Sequence, residues 1–373
     1  MDGRPLVVGV DGRELQGRPT GTGRYLRSLL RHWREDGLRL FVYFDGPAPH
    51  DAVLDHPAVV CRGLGSAGTR GLVWQERLLP AAARADGLDV FFAPAYSCPL
   101  TLALPRVTTV HDLSFFSHPQ DFTFRDGLRR RLLTGLSVRV SSAVPVVSEF
   151  TRREMTDRFP AYADRAVVVP HGPDEDLPAS PPRDDARRTL GIEGPYVITV
   201  GAILNRRCLP ELVRATARLV RLHPRLVLDV VGENRTHPPL DLTRLVRTLG
   251  LAGHVRLSGF VDDAGLAARY GAADAAVFLS EYEGFGLPAL EAAARGVPLV
   301  VSRAPALGEI FGEAALVVDP RDENQAASAV DVLLRDGARR ARLVAAGRAL
   351  ASRHSWAEAS RRTLDLLRGA ARR

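Results

Sequence analysis

The 373-residue sequence contains no lysine, so all fifty of its basic side chains are arginine. The simplest cause is genomic base composition, since arginine codons can be rich in G and C. Cysteine is scarce. Cys61, Cys98 and Cys208 are far apart and form no C-x-x-C, which argues for reduced thiols and against a disulfide scaffold, a metal site or a cysteine nucleophile. No apolar run reaches the length of a membrane span, and the start M-D-G-R-P lacks a signal-peptide pattern. The expected location is therefore cytoplasmic, with contact at the inner face of the membrane as the variant to consider. No helix-turn-helix, zinc-finger or RNP-like pattern is present, so nucleic acid is not an expected partner. No short-period repeat is visible either.

The chain is 46% hydrophobic and 25% charged, enough for two sizeable cores. Its net charge of +7 favours anionic partners such as sugar nucleotides or anionic lipids. Leu6 to Val10 reads as a buried strand, and a helix follows from about Thr22 with apolar residues at Tyr25, Leu26, Leu29 and Leu30. Between them Gly21, Thr22 and Gly23 open the helix, either as a plain connector or as a loop whose amides face a phosphate or an acceptor. The match to a dinucleotide fingerprint is weak, because Leu26 stands at the third glycine position.

Further strands are expected at Leu38 to Phe44, Ala58 to Cys61, Asp89 to Ala93, Val107 to Val110, Ala143 to Val147 and Ala166 to Val169. His111 lies just past the carboxyl end of one of them, where open α/β sheets bind ligands, though a histidine there can equally hold a loop by hydrogen bonds. Residues 125–140 are strongly basic, with Leu128, Leu132, Leu133 and Leu136 on one helical face. The preferred reading is a solvated helix whose apolar face is core; the other is a basic amphipathic surface for an anionic membrane.

Residues 173–187 are rich in proline and acid and mark the expected linker. The alternation then restarts with Tyr196 to Gly201, and continues through strands at Leu226 to Val231, Val255 to Leu257, Ala275 to Leu279, Leu299 to Val301 and Leu316 to Val318. This alternation predicts an α/β protein of two Rossmann-like domains, with parallel sheets whose carboxyl ends face a shared cleft. The first covers 1–177 and the second 178–355, the last helix (about 356–373) packing back on the first.

The stretch Leu279 to Ser302 is the most informative. A glycine-bearing turn leads into a short helix starting near Leu287, and Glu283 and Glu291 bracket both, with seven residues between them. A helix start offers unpaired N–H groups and a positive dipole end. Gly284 and Gly286 remove side chains, so a ligand can approach those amides. Acids on either side of an anion site suit a molecule with hydroxyls at both ends and phosphate in the middle. Arg206 and Arg207 follow the second domain's first strand, and arginine forks pair bidentately with phosphate. In so arginine-rich a chain, simple solvation of an exposed pair is the competing reading.

With these segments in order, the chain resembles a retaining, metal-independent glycosyltransferase of the GT-B fold, family 4. E-G-F-G-L-P-A-L-E is similar to that family's E-x7-E signature, V-G-A-I-L-N-R-R-C to its V-G-x-x-x-x-R-K-N segment, and T-V-H-D-L-S-F-F-S-H-P to its first-domain H-D-L segment. V-S-E-F-T-R-R-E-M, V-V-P-H-G-P-D and the late S-W match other stations, so the resemblance spans nearly the whole chain. It implies a donor site of Gly201, Arg206, Arg207, Glu283, Gly284, Phe285, Gly286, Leu287 and Glu291. Glu283 would contact the transferred sugar and Glu291 the ribose, while Arg206 and Arg207 would neutralise the leaving diphosphate in place of a metal. His111 would sit beside the sugar, and Gly21 to Gly23 would approach the diphosphate or acceptor. Ala202 stands where the family often has arginine, and Cys208 where it has asparagine or glycine.

No cofactor or metal is implied, the nucleoside-diphosphate sugar being a co-substrate. Retention by front-face attack is expected, because no well-placed carboxylate nucleophile is identifiable. The acceptor would be a saccharide, a lipid-linked saccharide or a small molecule. The H-D-L-S-F-F form is similar to bacterial mannosyl- and rhamnosyltransferases of polysaccharide biosynthesis, which leans the donor towards GDP-mannose. The rivals are a sugar-nucleotide epimerase on the same fold and a non-catalytic sugar-nucleotide-binding protein. Asp174-Glu175-Asp176 fits the D-x-D of a metal-dependent GT-A enzyme but lies in the linker and reads as solvated charge.

Overall fold

The computed structural model describes residues 4–18, 20–65 and 71–372. The chain forms two compact units: Met1–Phe116 with Phe124–His171 and Ser355–Arg373, and Ser117–Thr123 with Gly172–His354. The first holds β1 (Leu6–Asp11), β2 (Leu38–Phe44), β3 (Val59–Gly63), β4 (Val90–Ala93), β5 (Arg106–Thr108), β6 (Val144–Val146) and β7 (Ala166–Val168). The second holds β8 (Tyr196–Val200), β9 (Val227–Val231), β10 (Val255–Gly259), β11 (Ala275–Phe278), β12 (Leu299–Ser302) and β13 (Ala315–Val318).

Both sheets are parallel and doubly wound. The first runs β3-β2-β1-β4-β5 and the second β10-β9-β8-β11-β12-β13, while β6 and β7 pair separately. Parallel bridges Val107 to Ala143 and Val110 to Val146 carry the β5 edge on to β6. The strands read as continuous apolar runs because helices cover both faces: every residue of β4, β8, β11 and β12 is buried. Each sheet reverses direction once, between β1 and β4 and between β8 and β11. In such sheets ligands bind outside the carboxyl ends of the strands at that reversal.

In the first unit the helix Gly21–His32 buries Tyr25, Leu26, Leu29 and Leu30, and the Thr20 hydroxyl caps its start by accepting from Gly23 N. The C-terminal helix Trp356–Ala371 packs against it, and the Trp33 indole donates to Ser360 O at 3.0 Å. Trp74–Leu78 is wound as a π-helical turn before Leu79–Ala85 continues as α-helix.

Two sequence expectations are corrected, and one helix was not expected. The segment 173–187 is not all linker: the helix Arg183–Leu190 begins inside it, and Arg183 and Arg187 both pair with Asp274. Residues just before it are tied down too, since Arg295 donates to Leu177 O and Pro178 O. Proline and acid therefore mark a fixed entry into the second unit, whose boundary falls at His171/Gly172. The helix Pro305–Phe311 carries no sequence expectation at all. The second correction is that the leucines of the helix Phe124–Val140 do not form its core face. Its buried residues are Gly127, Thr134, Ser137 and Val138. Small side chains allow close approach, and Ser137 Oγ accepts from Cys98 N at 3.0 Å.

The close approach of β8 and β9 depends on glycine. Gly232 has φ +148°, and a Cβ there would lie 2.1 Å from Gly201 O. Gly232→Ala is expected to destabilise the second unit by about 2 kcal/mol or more in equilibrium urea unfolding, combining backbone strain with displacement of a neighbouring chain. Gly250→Ala is the control: its φ is +68° but nothing lies within 4 Å. It should lose only about 1 kcal/mol, and equal losses would contradict the packing argument.

Candidate active site

In the second unit the chain leaves β8 through Gly201 and makes a single 3-10 turn, Asn205–Arg207. The loop is braced from the side by Ile203 N donating to Glu233 O and by Asn205 Oδ1 accepting from His237 N. Arg207 folds back over the strand end, and its Nη1 donates to Val200 O at 3.1 Å. A Cβ at position 201 would lie 2.1 Å from that nitrogen, so glycine there makes room for the guanidinium. Arg207 Nε lies 3.0 Å from Glu283 Oε1, yet it makes no hydrogen bond. The contact is thus a charge pair off the hydrogen-bonding line. It leaves the carboxylate able to accept from hydroxyl groups, and Nη2 has no hydrogen-bond partner among the described residues.

The two arginines have different partners. The Arg206 side chain keeps 11% exposure, with Nη1 3.6 Å from Asp121 Oδ2. Neither Arg206 Nε nor Asp121 Oδ2 makes a hydrogen bond. The Arg206 carbonyl meanwhile accepts from Glu281 N at 2.8 Å and Ser280 Oγ at 3.2 Å. The turn after β8 is in this way fastened to the loop after β11, across the reversal of the sheet. Cys208 caps the helix Leu209–Leu222 with φ 45°. The departure from asparagine or glycine therefore falls at a left-handed position, where those two residues are the usual occupants. Burial pushes the Cys208 thiol up to about 12, so it is no nucleophile.

The loop after β11 reaches the helix Leu287–Ala294 through Gly286, which has φ 94° and no side-chain cap. A Cβ on Gly286 would meet Leu307 Cδ2 at 2.5 Å, so this glycine serves packing as well as access. Pro288 has no N–H, and the Ala289 and Leu290 amides bond to Gly286 O. Leu287 N has no acceptor among the described residues and points out of the helix start as a donor. Phe285 is buried against His354, ring centroids 5.8 Å apart. Glu291 is buried within the helix, and the Tyr270 hydroxyl donates to its Oε2 at 3.4 Å. Asp121 and Tyr270 carry no motif, and their partnership with Arg206 and Glu291 emerges only in the fold.

In the first unit Gly21 faces open space, whereas a Cβ on Gly23 would lie 2.5 Å from Glu14 O. Of the two glycines, only Gly21 leaves room for a ligand. The Thr22 hydroxyl is held by Glu14, and the Gly21 and Thr22 amides have no acceptor among the described residues. His111 is buried among Tyr25, Tyr96 and His171, with ring centroids 4.8, 5.8 and 5.5 Å away. Its Nε2 is 2.8 Å from Pro94 O. A carbonyl only accepts, so Nε2 carries the proton and, in the neutral ring, Nδ1 is an acceptor. Burial lowers the His111 pKa and keeps the ring neutral. His111 therefore both holds a loop and presents an acceptor atom. Asp11 and Arg13, at the end of β1, form a bidentate pair that Gln75 extends. The rule that singles out His111, a polar residue past a strand's carboxyl end, applies to V-D-G-R as well.

Residues 19–177 match the family model described as Glycosyltransferase Family 4, and residues 182–350 that of Glycosyl transferases group 1. The O-antigen chain mannosyltransferase B of Escherichia coli is 31% identical over 292 residues, covering 74% of this chain and 73% of that protein. A D-inositol 3-phosphate glycosyltransferase of Kineococcus radiotolerans is 35% identical over 240 residues, 59% of this chain and 55% of that relative, so only about half of its length is spanned. Among solved structures, a sucrose-phosphate synthase from Thermosynechococcus elongatus superposes with a TM-score of 0.79 over 98% of this chain and 99% of that one. At 22% identity this is a likeness of fold.

The lowered pKa of His111 has a consequence for stability. The unfolded chain binds a proton near the ordinary histidine value of 6.5 and the folded chain resists it. Stability conferred by the neutral ring is present above pH 6.5 and is lost as pH falls below it. His111→Gln keeps a donor for Pro94 O and cannot titrate. Urea unfolding from pH 7.5 to 5.5 should show a shallower loss in the variant than in the parent; parallel curves would refute the assignment.

Proposed function

Because the chain belongs to the group 1 glycosyl transferases of glycosyltransferase family 4, we propose that it moves a hexose from a nucleoside-diphosphate sugar to an acceptor hydroxyl, with retention and without a metal. The observation that carries this reading is the Arg207–Glu283 pair beside an open helix start, at the reversal of the second sheet. Arg207 Nη2 and the Leu287 amide are donors for the diphosphate. A fixed guanidinium and a helix dipole need no reorganisation as charge builds on the leaving group. Glu283 accepts from hydroxyls of the transferred sugar, while Glu291, braced by Tyr270, takes the ribose. Arg206 shares its charge with Asp121 and assists from the side.

In the reaction the bond between the anomeric carbon and the diphosphate breaks, and its electron pair leaves with the nucleotide. The acceptor oxygen then bonds to the same face of the carbon, and its proton passes to the departing phosphate oxygen. In the first unit, neutral His111 offers Nδ1 to a hydroxyl, and the Gly21 and Thr22 amides serve an anionic group. GDP-mannose is the preferred donor. The H-D-L-S-F-F form supports it, as does the likeness to a protein named as a mannosyltransferase.

Thermal stabilisation by GDP and UDP, then by their sugars, tests the donor, since a ligand present at 100 times its Kd adds about 2.7 kcal/mol. GDP should stabilise more than UDP. Nucleotide release should depend on acceptor and persist in excess chelator. Glu283→Gln should lower kcat by about 100-fold or more, and Arg207→Gln should weaken the shift given by the diphosphate. Unchanged turnover in Glu283→Gln would sink the site, and loss of activity in chelator would sink the metal-independent reading.

A further inference from the structure

Segments that follow β8, β11 and β13 converge on one guanidinium. Arg321 lies in the loop after β13. Its Nε and Nη2 donate to Glu281 Oε1 and Oε2 at 2.8 and 2.9 Å, and its Nη1 donates to Glu211 Oε1 at 2.9 Å. Glu281 belongs to the loop after β11, two residues before Glu283. Glu211 stands in the first turn of the helix Leu209–Leu222, which begins directly after the turn bearing Arg206 and Arg207. Neither carboxylate pairs with another cation among the described residues, and Glu211 Oε2 makes no hydrogen bond.

The arginine is presented from a fixed backbone. Its N–H donates to Asp319 Oδ1 at 2.9 Å, and the next residue, Asp322, caps the helix Glu323–Arg335 by accepting from Asn324 N and Gln325 N. The side chain of Glu211 keeps 11% exposure and that of Glu281 30%, against 55% for Arg321. Water reaches the outer edge of the guanidinium, so as an ion pair the contact adds little to stability. Its geometry matters more, because a planar fork fixes direction as well as distance. Without Arg321, Glu211 would be a carboxylate nearly out of water, with no cation and with a second carboxylate close by. The two would move apart. Glu281 N is bonded to Arg206 O at 2.8 Å, so a displaced Glu281 pulls on both the loop bearing Glu283 and the turn bearing Arg207.

We infer that Arg321 is a positioning residue of the transfer reaction, which holds the turn of Arg206 and Arg207 and the loop of Glu283 at their working separation. The inference rests on the transferase reading for the reaction it serves. The Arg206 carbonyl, which takes Glu281 N and Ser280 Oγ, is a single atom, and bonds to it leave the two segments free to pivot. Arg321 supplies a second attachment, to Glu211 on one side and Glu281 on the other, and two attachments stop the pivot. The 3.0 Å approach of Arg207 to Glu283 depends on that. A shift of about 1 Å in such a pair is enough to cost a large factor in rate.

Arg321→Gln and the double variant Glu211→Gln/Arg321→Gln, made in the full chain, separate positioning from folding. Arg321→Gln should lower the urea midpoint, because it strands the Glu211 carboxylate. In the double variant that charge is gone and the midpoint should return to the parent's value, yet the second attachment is still missing. The kcat of acceptor-dependent nucleotide release should therefore stay about tenfold or more below the parent in both variants, while KM for the sugar nucleotide changes far less. Hydrogen exchange of the segment 279–286, read by mass spectrometry without substrate, should be faster in the double variant than in the parent. A kcat that recovers together with stability in the double variant would make the role of Arg321 purely structural and overturn the inference. Unaltered exchange in that segment would overturn it too. A parent that turns over no sugar nucleotide would instead count against the transferase reading, and the exchange alone would then show whether Arg321 clamps the two segments.

Discussion

The guanidinium of Arg207 lies where a side chain on residue 201 would have to be. It is held at one end by the carbonyl of Val200 and at the other by the charge of Glu283. This one contact joins the end of β8 to the loop after β11, the two strands between which the second sheet reverses. It makes three otherwise separate requirements into one. Residue 201 must be glycine. Residue 232 must be glycine as well, because its chain passes against the carbonyl of Gly201. The loop carrying Glu283 must be pinned, which the Arg206 carbonyl does through Glu281 and Ser280, and Ser302 does from the next strand. An arginine that never loses its charge is suited to this place. It keeps its charge at any physiological pH while its own position is fixed by neutral and anionic protein groups.

The first unit solves a different problem with the same topology. Its strand ends carry a neutral histidine in an aromatic cage and an arginine already matched by Asp11, so little net charge is presented there. Burial is what keeps His111 uncharged, and an uncharged ring donating through Nε2 has only Nδ1 to offer. That favours recognition of hydroxyls over phosphates. The two reversals thus differ in the side chains at their strand ends, one carrying an arginine set against a glutamate, the other a neutral ring beside a matched ion pair.

Legibility in the sequence followed the range of the interactions. The alternation of strand and helix, and the position of Glu283, Glu291, Arg206 and Arg207 at strand ends and a helix start, could be read because each depends on residues within about one turn or one strand. The partners could not. Asp121 and Tyr270 are far in sequence from the residues they meet, and nothing in their local pattern marks them. The linker misled for a related reason. Proline and acid at 173–187 look like solvated chain, yet the helix within it is fixed by Asp274, and Leu177 and Pro178 by Arg295, each contact spanning roughly a hundred residues of sequence.

The helix Phe124–Val140 shows how periodicity alone can misplace an element. Four leucines on one side of a helix ordinarily mean core, since apolar area removed from water contributes about 25 cal/mol per Å². Here a second constraint overrides it. The sheet edge at β5 offers polar groups, and it admits a helix only at close range. Ser137 takes the Cys98 amide, and the Ser141 hydroxyl just beyond the helix reaches Thr108. Only small residues fit that approach, so the side with Gly127, Thr134 and Ser137 is inward and Leu128, Leu132 and Leu136 are left in water. The cost of that exposure is not offset within the described chain. Packing range, more than apolar periodicity, thus sets which side of this helix faces the sheet.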